Sequence, residues 1–331
     1  MAQKSIDLQV ATAGEALIDL IREPDGRLKP CLGGAVYNLT RALARQEVQT
    51  LYLNPLSKDR FGRELSAAML QDGVRLAVPE PVLQVTSLAV VGVNDQGHPD
   101  YAFYREGVAD RAITAQQMNA ACEAAETLSI VCTGALALSP DDADTYLPWL
   151  AAQRQSGRTV IVDANLRPSV MPNMTRYRSH VLTALQFADV IKVSDEDLDN
   201  LNIEGSSDVE RAGALFAQTP AHFVALTRGA QGAALLTRQG QVFYARETAA
   251  VQVVDTVGAG DCFLAGMVAS MLEQGLAADW GAELVEPSQA QALLFNAIAS
   301  ATLCVMQRGA VPPSRAQVQA RVATAGLEFR A

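Results

Sequence analysis

Asp255-Thr256-Val257-Gly258-Ala259-Gly260-Asp261-Cys262-Phe263 is the stretch whose reading decides the fold. It follows a β-type apolar run over 250–254 and precedes an apolar, small-residue segment, 264–272, that contains no breaker. That order predicts a strand, a glycine turn and a buried helix. Gly258 and Gly260 let the chain turn tightly with no side chain in the way. The amides of Gly258, Ala259 and Gly260 then fall among the unpaired donors of a helix N-terminus, where the macrodipole favours an anion. A phosphoryl group fits such a hole, and Asp261 stands beside it as a candidate proton acceptor. Taken alone, the same acid also reads as one that stabilises its own helix. Rival glycine signatures fail: GxGxxG breaks at Phe263, and GxxxxGK[ST] occurs nowhere in the chain.

The whole string, residues 255–261, matches DTxGAGD, and through it the chain resembles the ribokinase-like (PfkB) family of sugar kinases. The resemblance implies an α/β fold, a three-layer α/β/α sandwich around a mostly parallel sheet. It implies one catalytic domain over 1–331, with a small β-sheet lid formed by about 15–34 and 85–110. It also implies that Asp261 is the base and that Gly258, Ala259 and Gly260 form the anion hole. In relatives the loop corresponding to Asp255 and Val257 holds a monovalent cation, so potassium is expected beside ATP and magnesium.

Composition agrees with a small-molecule enzyme. The chain has 331 residues, 49% of them hydrophobic and 19% charged, enough to build a large core. A net charge of −10 argues against nonspecific binding to nucleic acid or to an anionic membrane. The first residues lack the apolar region of a signal peptide and no uninterrupted apolar run approaches membrane length, so a soluble, cytoplasmic protein is expected. Cysteines at 31, 122, 132, 262 and 304 show no CxxC or zinc spacing and read as reduced, mostly buried thiols.

Outward from the signature, 6–13 reads as a buried strand, and Gly14 to Asp19 follows as a short second run. The resemblance makes Asp19 a ligand of sugar hydroxyls; without it, Asp19 reads as a solvated turn acid. Gly33 and Gly34 precede a helix through Ala44, and Asn38 in it can both donate to and accept from a hydroxyl. The family resemblance assigns all three to the sugar. Segments 85–93 and 100–106 are β-type runs joined by Asn94-Asp95-Gln96-Gly97, a hairpin connection of the lid. Phe103-Tyr104-Arg105 with Ala109-Asp110 resembles fructokinase-like members, so Tyr104 and Arg105 join the candidate substrate contacts. Otherwise Arg105 is an exposed residue of an edge strand.

Segments 129–133 and 159–162 read as central parallel strands, with a helix over 141–155 between them. Asp163, Asn165 and Arg167 leave the second strand at its carboxyl end, where open α/β sheets bind ligands. They resemble the family's DxNxR element, which implies substrate contacts for Asn165 and Arg167. A strand over 190–193 carries Lys192 and leads to Asp197, both of which the resemblance places at the nucleotide. Relatives place a Glu at the Asp197 position, acting through water on the magnesium of ATP. Thr227, Gly229 and Gly232 resemble the family's T-x-G-x-x-G turn, which implies contacts to the nucleotide phosphates; as a bare hairpin the turn would carry no function. A helix over 289–307 and the turn at 308–310 match the adenine wall, where no individual contact is readable. The reading that follows is an ATP-dependent kinase of a ketose primary hydroxyl, fructose being favoured, with an acidic sugar, 2-keto-3-deoxygluconate, as the alternative. A binding protein that has lost catalysis is the reading from another class. Exposed lid edges further suggest a homodimer formed through the lid.

Overall fold

The computed structural model describes residues 7–23, 25–93, 99–276 and 284–331. The chain enters through β1 (Val10–Thr12), runs out into β2 (Leu17–Arg22) and β3 (Leu28–Gly33), and returns as α1 (Ala35–Arg45), β4 (Thr50–Tyr52), α2 (Arg60–Gln71) and β5 (Arg75–Leu76). A second excursion makes β6 (Ser87–Val93) and β7 (Pro99–Tyr104). Alternation then sets in with α3 (Ala115–Glu123), β8 (Ile130–Gly134), α4 (Ala143–Gln155), β9 (Thr159–Asp163), α5 (Met174–Leu185), β10 (Val190–Ser194), α6 (Asp195–Leu201), α7 (Asp208–Gln218) and β11 (Phe223–Thr227). The chain ends with β12 (Ala233–Thr237), β13 (Val242–Glu247), α8 (Ala259–Glu273), α9 (Pro287–Val305), α10 (Arg315–Thr324) and β14 (Leu327–Arg330).

Ten strands form the main sheet in the order β14-β13-β12-β11-β10-β9-β8-β1-β4-β5. It is parallel from β5 to β11 and antiparallel beyond, where β11, β12, β13 and β14 pair by hairpins and by the C-terminal strand. Its central strands are buried on both faces, as short β-branched runs require. One face packs Met118, Trp149, Tyr177, Val181 and Leu215 from α3, α4, α5 and α7. The other packs Leu39 and Leu43 of α1, Met267 of α8 and Leu294 of α9. This is the expected three-layer sandwich. By length and composition α9 could cross a membrane, but half of it is buried and it packs on α8. All five cysteines are free thiols, four of them buried.

The two excursions form a separate four-stranded sheet, β3-β2-β6-β7, parallel between β2 and β6 and antiparallel elsewhere. They coincide with the segments expected to form the lid; the turn Asn94–Gly97 lies outside the described residues. Two boundaries differ from expectation. The first strand covers only Val10–Thr12, with Ile6 outside the described residues. Residues 250–254 are not a strand: the edge of β13 is taken by β14, so this run finds no ladder. Val253 and Val254 stay 58% and 53% exposed, and the amide of Val254 bonds to the carbonyl of Val305 at 2.8 Å. The signature is therefore loop, glycine turn and buried helix.

Candidate active site

Helix α8 starts at Ala259 with Gly258 as its N-cap at φ 79°. A side chain there is excluded twice, by the left-handed backbone and because a Cβ would come within 2.7 Å of the Ala310 Cβ. Among the described residues, the amides of Gly258, Gly260 and Asp261 have no hydrogen-bond acceptor. Ala259 departs from expectation, since its amide bonds the Thr256 carbonyl at 3.2 Å. The free donors are thus those of Gly258, Gly260 and Asp261. Asp255 fixes this turn to the C-terminal turn by accepting from the amide of Val257 at 3.0 Å and from that of Gly309 at 2.9 Å.

Asp261 is buried in the first turn of α8, and its Oδ2 accepts from Nδ2 of Asn38 at 3.0 Å. Burial raises its pKa, while Asn38, Lys192 and Arg167 pull it back. A carboxylate so placed is poised to take a proton. Lys192 lies underneath the turn with Nζ 3.0 and 3.1 Å from the two oxygens of Asp163. Burial lowers its pKa, but Asp163, Asp197 and Asp261 outweigh that and keep the ammonium charged. A Cβ on Gly260 would stand 2.9 Å from this Nζ, so the glycine lets the cation approach the turn closely.

Opposite, the loop after β9 brings Asn165 into a narrow cleft shared with Ala35, Thr133, Gly134, Asp163 and Asp261. Asn165 holds φ 37°, a region that Asn tolerates better than most residues, and its Oδ1 accepts from Nη1 of Arg167 at 2.6 Å. Arg167 stabilises the carboxylate forms of Glu15, Asp19 and Asp261. These residues therefore surround one space.

From the lid, Asp19 points across β2 towards Gly33, where a Cβ would lie 2.1 Å from its Oδ2. Burial pushes Asp19 up to about 6, against the pull of Arg167. Gly34 holds φ 106° at the N-cap of α1, and a Cβ there would meet the carbonyl of Glu15 at 2.7 Å. Two lid expectations need correction. Tyr104 is 61% exposed and pairs with Leu88, on the face opposite to Asp19, Ala89 and Phe103. The site-facing aromatic ring is instead Phe103, packed with Leu17, Ala89, Leu136 and Met171. Arg105 is no exposed edge residue: its side chain is 13% exposed and pairs with Asp142 at 3.5 Å, with Asp110 and Glu15 also close enough to raise its pKa against burial.

Among the residues expected at the nucleotide, Thr227 ends β11 and Gly229 holds φ 50° in the following turn. Gly232 at φ 87° is dictated by packing, since a Cβ would lie 2.2 Å from the carbonyl oxygen of Ala245. Asp197 does not fit the magnesium role. Its Oδ1 accepts from the amide of Leu166 at 2.7 Å and its Oδ2 from that of Ser194 at 2.8 Å, closing a capping box on α6. Among the described residues no group of three or more His, Cys, Asp or Glu side chains could hold a metal. Val253, Val254, Val257, Met306 and Val311 make an exposed apolar patch along the two pinned turns, which sequence reasoning missed. Also missed were Glu15 and Asp142, acids within apolar or turn-like runs whose only sequence signal was an ionisable group beside a predicted strand or helix end.

An anion-binding turn, a buried carboxylate and an opposed polar lid define a phosphoryl-transfer enzyme acting on a polyol. The chain belongs to the pfkB family of carbohydrate kinases, whose model matches residues 7–316. It is 30% identical over 266 residues to a fructokinase from Rhizobium leguminosarum bv. trifolii, covering 79% of each chain. It is 32% identical over 270 residues to a fructokinase from Klebsiella pneumoniae, covering 80% of this chain and 84% of that one. Its fold superposes on a fructokinase with bound ATP from Xylella fastidiosa with a TM-score of 0.80, at 25% identity, covering 96% of this chain and 99% of that one.

Proposed function

We propose that this carbohydrate kinase transfers the γ-phosphoryl group of ATP to a primary hydroxyl of fructose. The observation that carries it is the Asn38-held carboxylate of Asp261 beside the free amides of Gly258, Gly260 and its own backbone. Fructokinases of two bacteria at about this similarity support the sugar. So does charge: Arg105 is surrounded by Asp110, Asp142 and Glu15, which leaves no free cation there for a sugar acid. Asp19, Glu15 and Asp261 around Arg167 make the rest of the space more hospitable to a neutral ketose than to a carboxylate.

In this reading Asp19 and Asn38 orient the sugar hydroxyls. Asp261 takes the proton of the attacking hydroxyl as its oxygen bonds to phosphorus and the bond to the departing diphosphate breaks. Lys192 and the three amides stabilise the charge on the transferring group. Bound ATP would supply the electrophilic phosphorus, and since no carboxylate cluster among the described residues could hold a metal, magnesium would enter with the nucleotide phosphates. The apolar patch around Val257 and Met306 suits the adenine ring. The same proposal includes a potassium ion at the Asp255–Val257 loop, action in the cytoplasm, and a homodimer through the lid, whose outer face leaves Leu28 and Tyr104 exposed.

A coupled assay of ADP release with fructose, 2-keto-3-deoxygluconate, ribose and adenosine tests it. Fructose is expected to give the highest kcat/KM. A tenfold preference for the sugar acid would overturn the neutral-sugar reading, and release with none of them would overturn the kinase of this substrate class.

A further inference from the structure

Glu15 stands at the joint where β1 gives way to the lid, 2% exposed, and the established family activity assigns it no part. Its hydrogen bonds go to a single neighbour, the start of α1. Oε1 accepts from the amide of Ala35 at 2.9 Å, and its backbone carbonyl accepts from the amide of Tyr37 at 3.1 Å. The N-cap of α1 is Gly34, which offers no side chain to satisfy those donors. A helix start left bare would carry several unpaired amides, so Glu15 takes over the capping from twenty residues upstream. Gly34 in turn has no room for a Cβ because the Glu15 carbonyl occupies that place.

What this cap holds is the turn that bears Asn38. Its amide bonds the carbonyl of Gly34 at 2.9 Å, and its side chain donates to Asp261 at 3.0 Å. A contiguous run of contacts thus leads from Glu15 through Ala35 and the first turn of α1 to the carboxylate of Asp261. Its other oxygen, Oε2, is buried without a partner, as is Nε of Arg105 at the end of the lid strand. Among the charges near Glu15, Arg105 acts most strongly and Arg167 next. Oε1 is thus the capping oxygen, and Oε2 makes no hydrogen bond.

We propose that Glu15 is a positioning residue for phosphoryl transfer: it fixes the first turn of α1 from the lid joint and through Asn38 sets the orientation of Asp261. The proposal rests on the reading of Asp261 as the base. It places the capping oxygen, rather than the charge of Glu15, in the path to turnover.

The test is a double-mutant cycle in kcat with the best sugar of the panel and saturating ATP. Glu15→Ala and Asn38→Ala are each expected to lower kcat at least tenfold, with KM for ATP within about twofold of wild type. The double variant is expected to lie within about threefold of the worse single, because both changes cut the same path. Glu15→Gln keeps an acceptor for Ala35 and should hold kcat within about threefold. Ala35→Pro deletes the donor from the other side at a helix position that accepts proline, and should lower kcat as Glu15→Ala does. It decides the matter if Glu15→Ala does not fold. Multiplying effects in the cycle, a Glu15→Gln as poor as Glu15→Ala, or a wild-type kcat in Ala35→Pro would each overturn the proposal. Asp261→Asn run alongside separates the failures: if it keeps full turnover the assignment of the base is wrong, whereas its loss together with multiplying effects in the cycle removes only the role of Glu15.

Discussion

On the α8 side of the cleft, position is set by backbone: left-handed Gly258, the pinned Asp255 turn and three free amides on a helix buried through most of its length. On the lid side it is set by charges taken out of water, with Asp19, Glu15 and Asp110 all shifted towards their neutral forms and Arg105 held among acids. Backbone geometry is stiff and insensitive to pH, whereas buried ionisable groups respond to every change of partner. The first suits a hole that must be preorganised for a charged transition state. The second suits a surface that responds to what it binds.

The largest expected effect tests the stiff side. Asp261→Asn keeps the shape and an acceptor for Asn38 but cannot take a proton. Turnover should fall by roughly 10²- to 10⁴-fold, about 3 to 5 kcal/mol of barrier, with sugar KM nearly unchanged. Steady-state kinetics decide it, and turnover within a few-fold of wild type would break the comparison at its root. Next comes Arg105→Ala on the lid side, which removes the cation that pairs with Asp142 and lies near Asp110. Breaking such buried pairs costs about 3 to 5 kcal/mol, and the lower end is expected because Arg111 still bonds Asp142 at 2.6 Å. The effect should appear in urea melts, and a loss under about 1 kcal/mol would show that the lid charges are not what holds this side.

How much was legible in the sequence follows the same division. The signature turn, the site-lining loop at Asn165 and Arg167 and the layers were readable, because glycine spacing and β-branched runs constrain backbone directly. The amide of Ala259 was misjudged because a turn one residue tighter than an open helix start gives it Thr256 as partner. Residues 250–254 look like a strand by composition, yet only strand pairing makes a strand, and β14 had taken the edge. On the lid, Tyr104 and Arg105 are adjacent in sequence but project to opposite faces, so a motif that names both can place only one at the site. Asp197 was read by family position, whereas its oxygens close a cap that Ser194 and Leu166 define in three dimensions. Glu15 carried only the weak signal of an acid beside a strand end, since its partner lies at the start of another element.

Asp19 sharpens the comparison through pH. Burial raises its folded-state pKa from 3.8 to about 6, so the folded protein binds this proton more tightly than the unfolded chain does. Its contribution to stability is complete below about pH 4 and is lost as pH rises through 6. Asp19→Asn removes that titration. Its stability relative to wild type should therefore climb by about 2 kcal/mol between pH 4 and pH 7, slightly less than the full shift implies because the carboxyl keeps some solvent. Urea melts at both pH values measure it, and a constant difference would mean that the lid carboxylate is already ionised at low pH.

Tyr104 gives the smallest effect and the cleanest discrimination between motif and geometry. As a sugar ligand, its loss would remove a hydrogen bond and a ring from the pocket, about 1 kcal/mol or more in kcat/KM. As built, the ring is 61% exposed on the face of β7 that carries Leu88, and the surface facing the cleft belongs to Phe103. Tyr104→Ala should then change kcat/KM for the sugar by less than about 0.5 kcal/mol, within the usual range for surface substitutions. If the lid faces of two copies pair, the same variant should weaken the dimer in sedimentation while leaving the kinetics of saturated enzyme alone. A tenfold fall in kcat/KM with the oligomer unchanged would turn the lid strand over and return Tyr104 to the sugar.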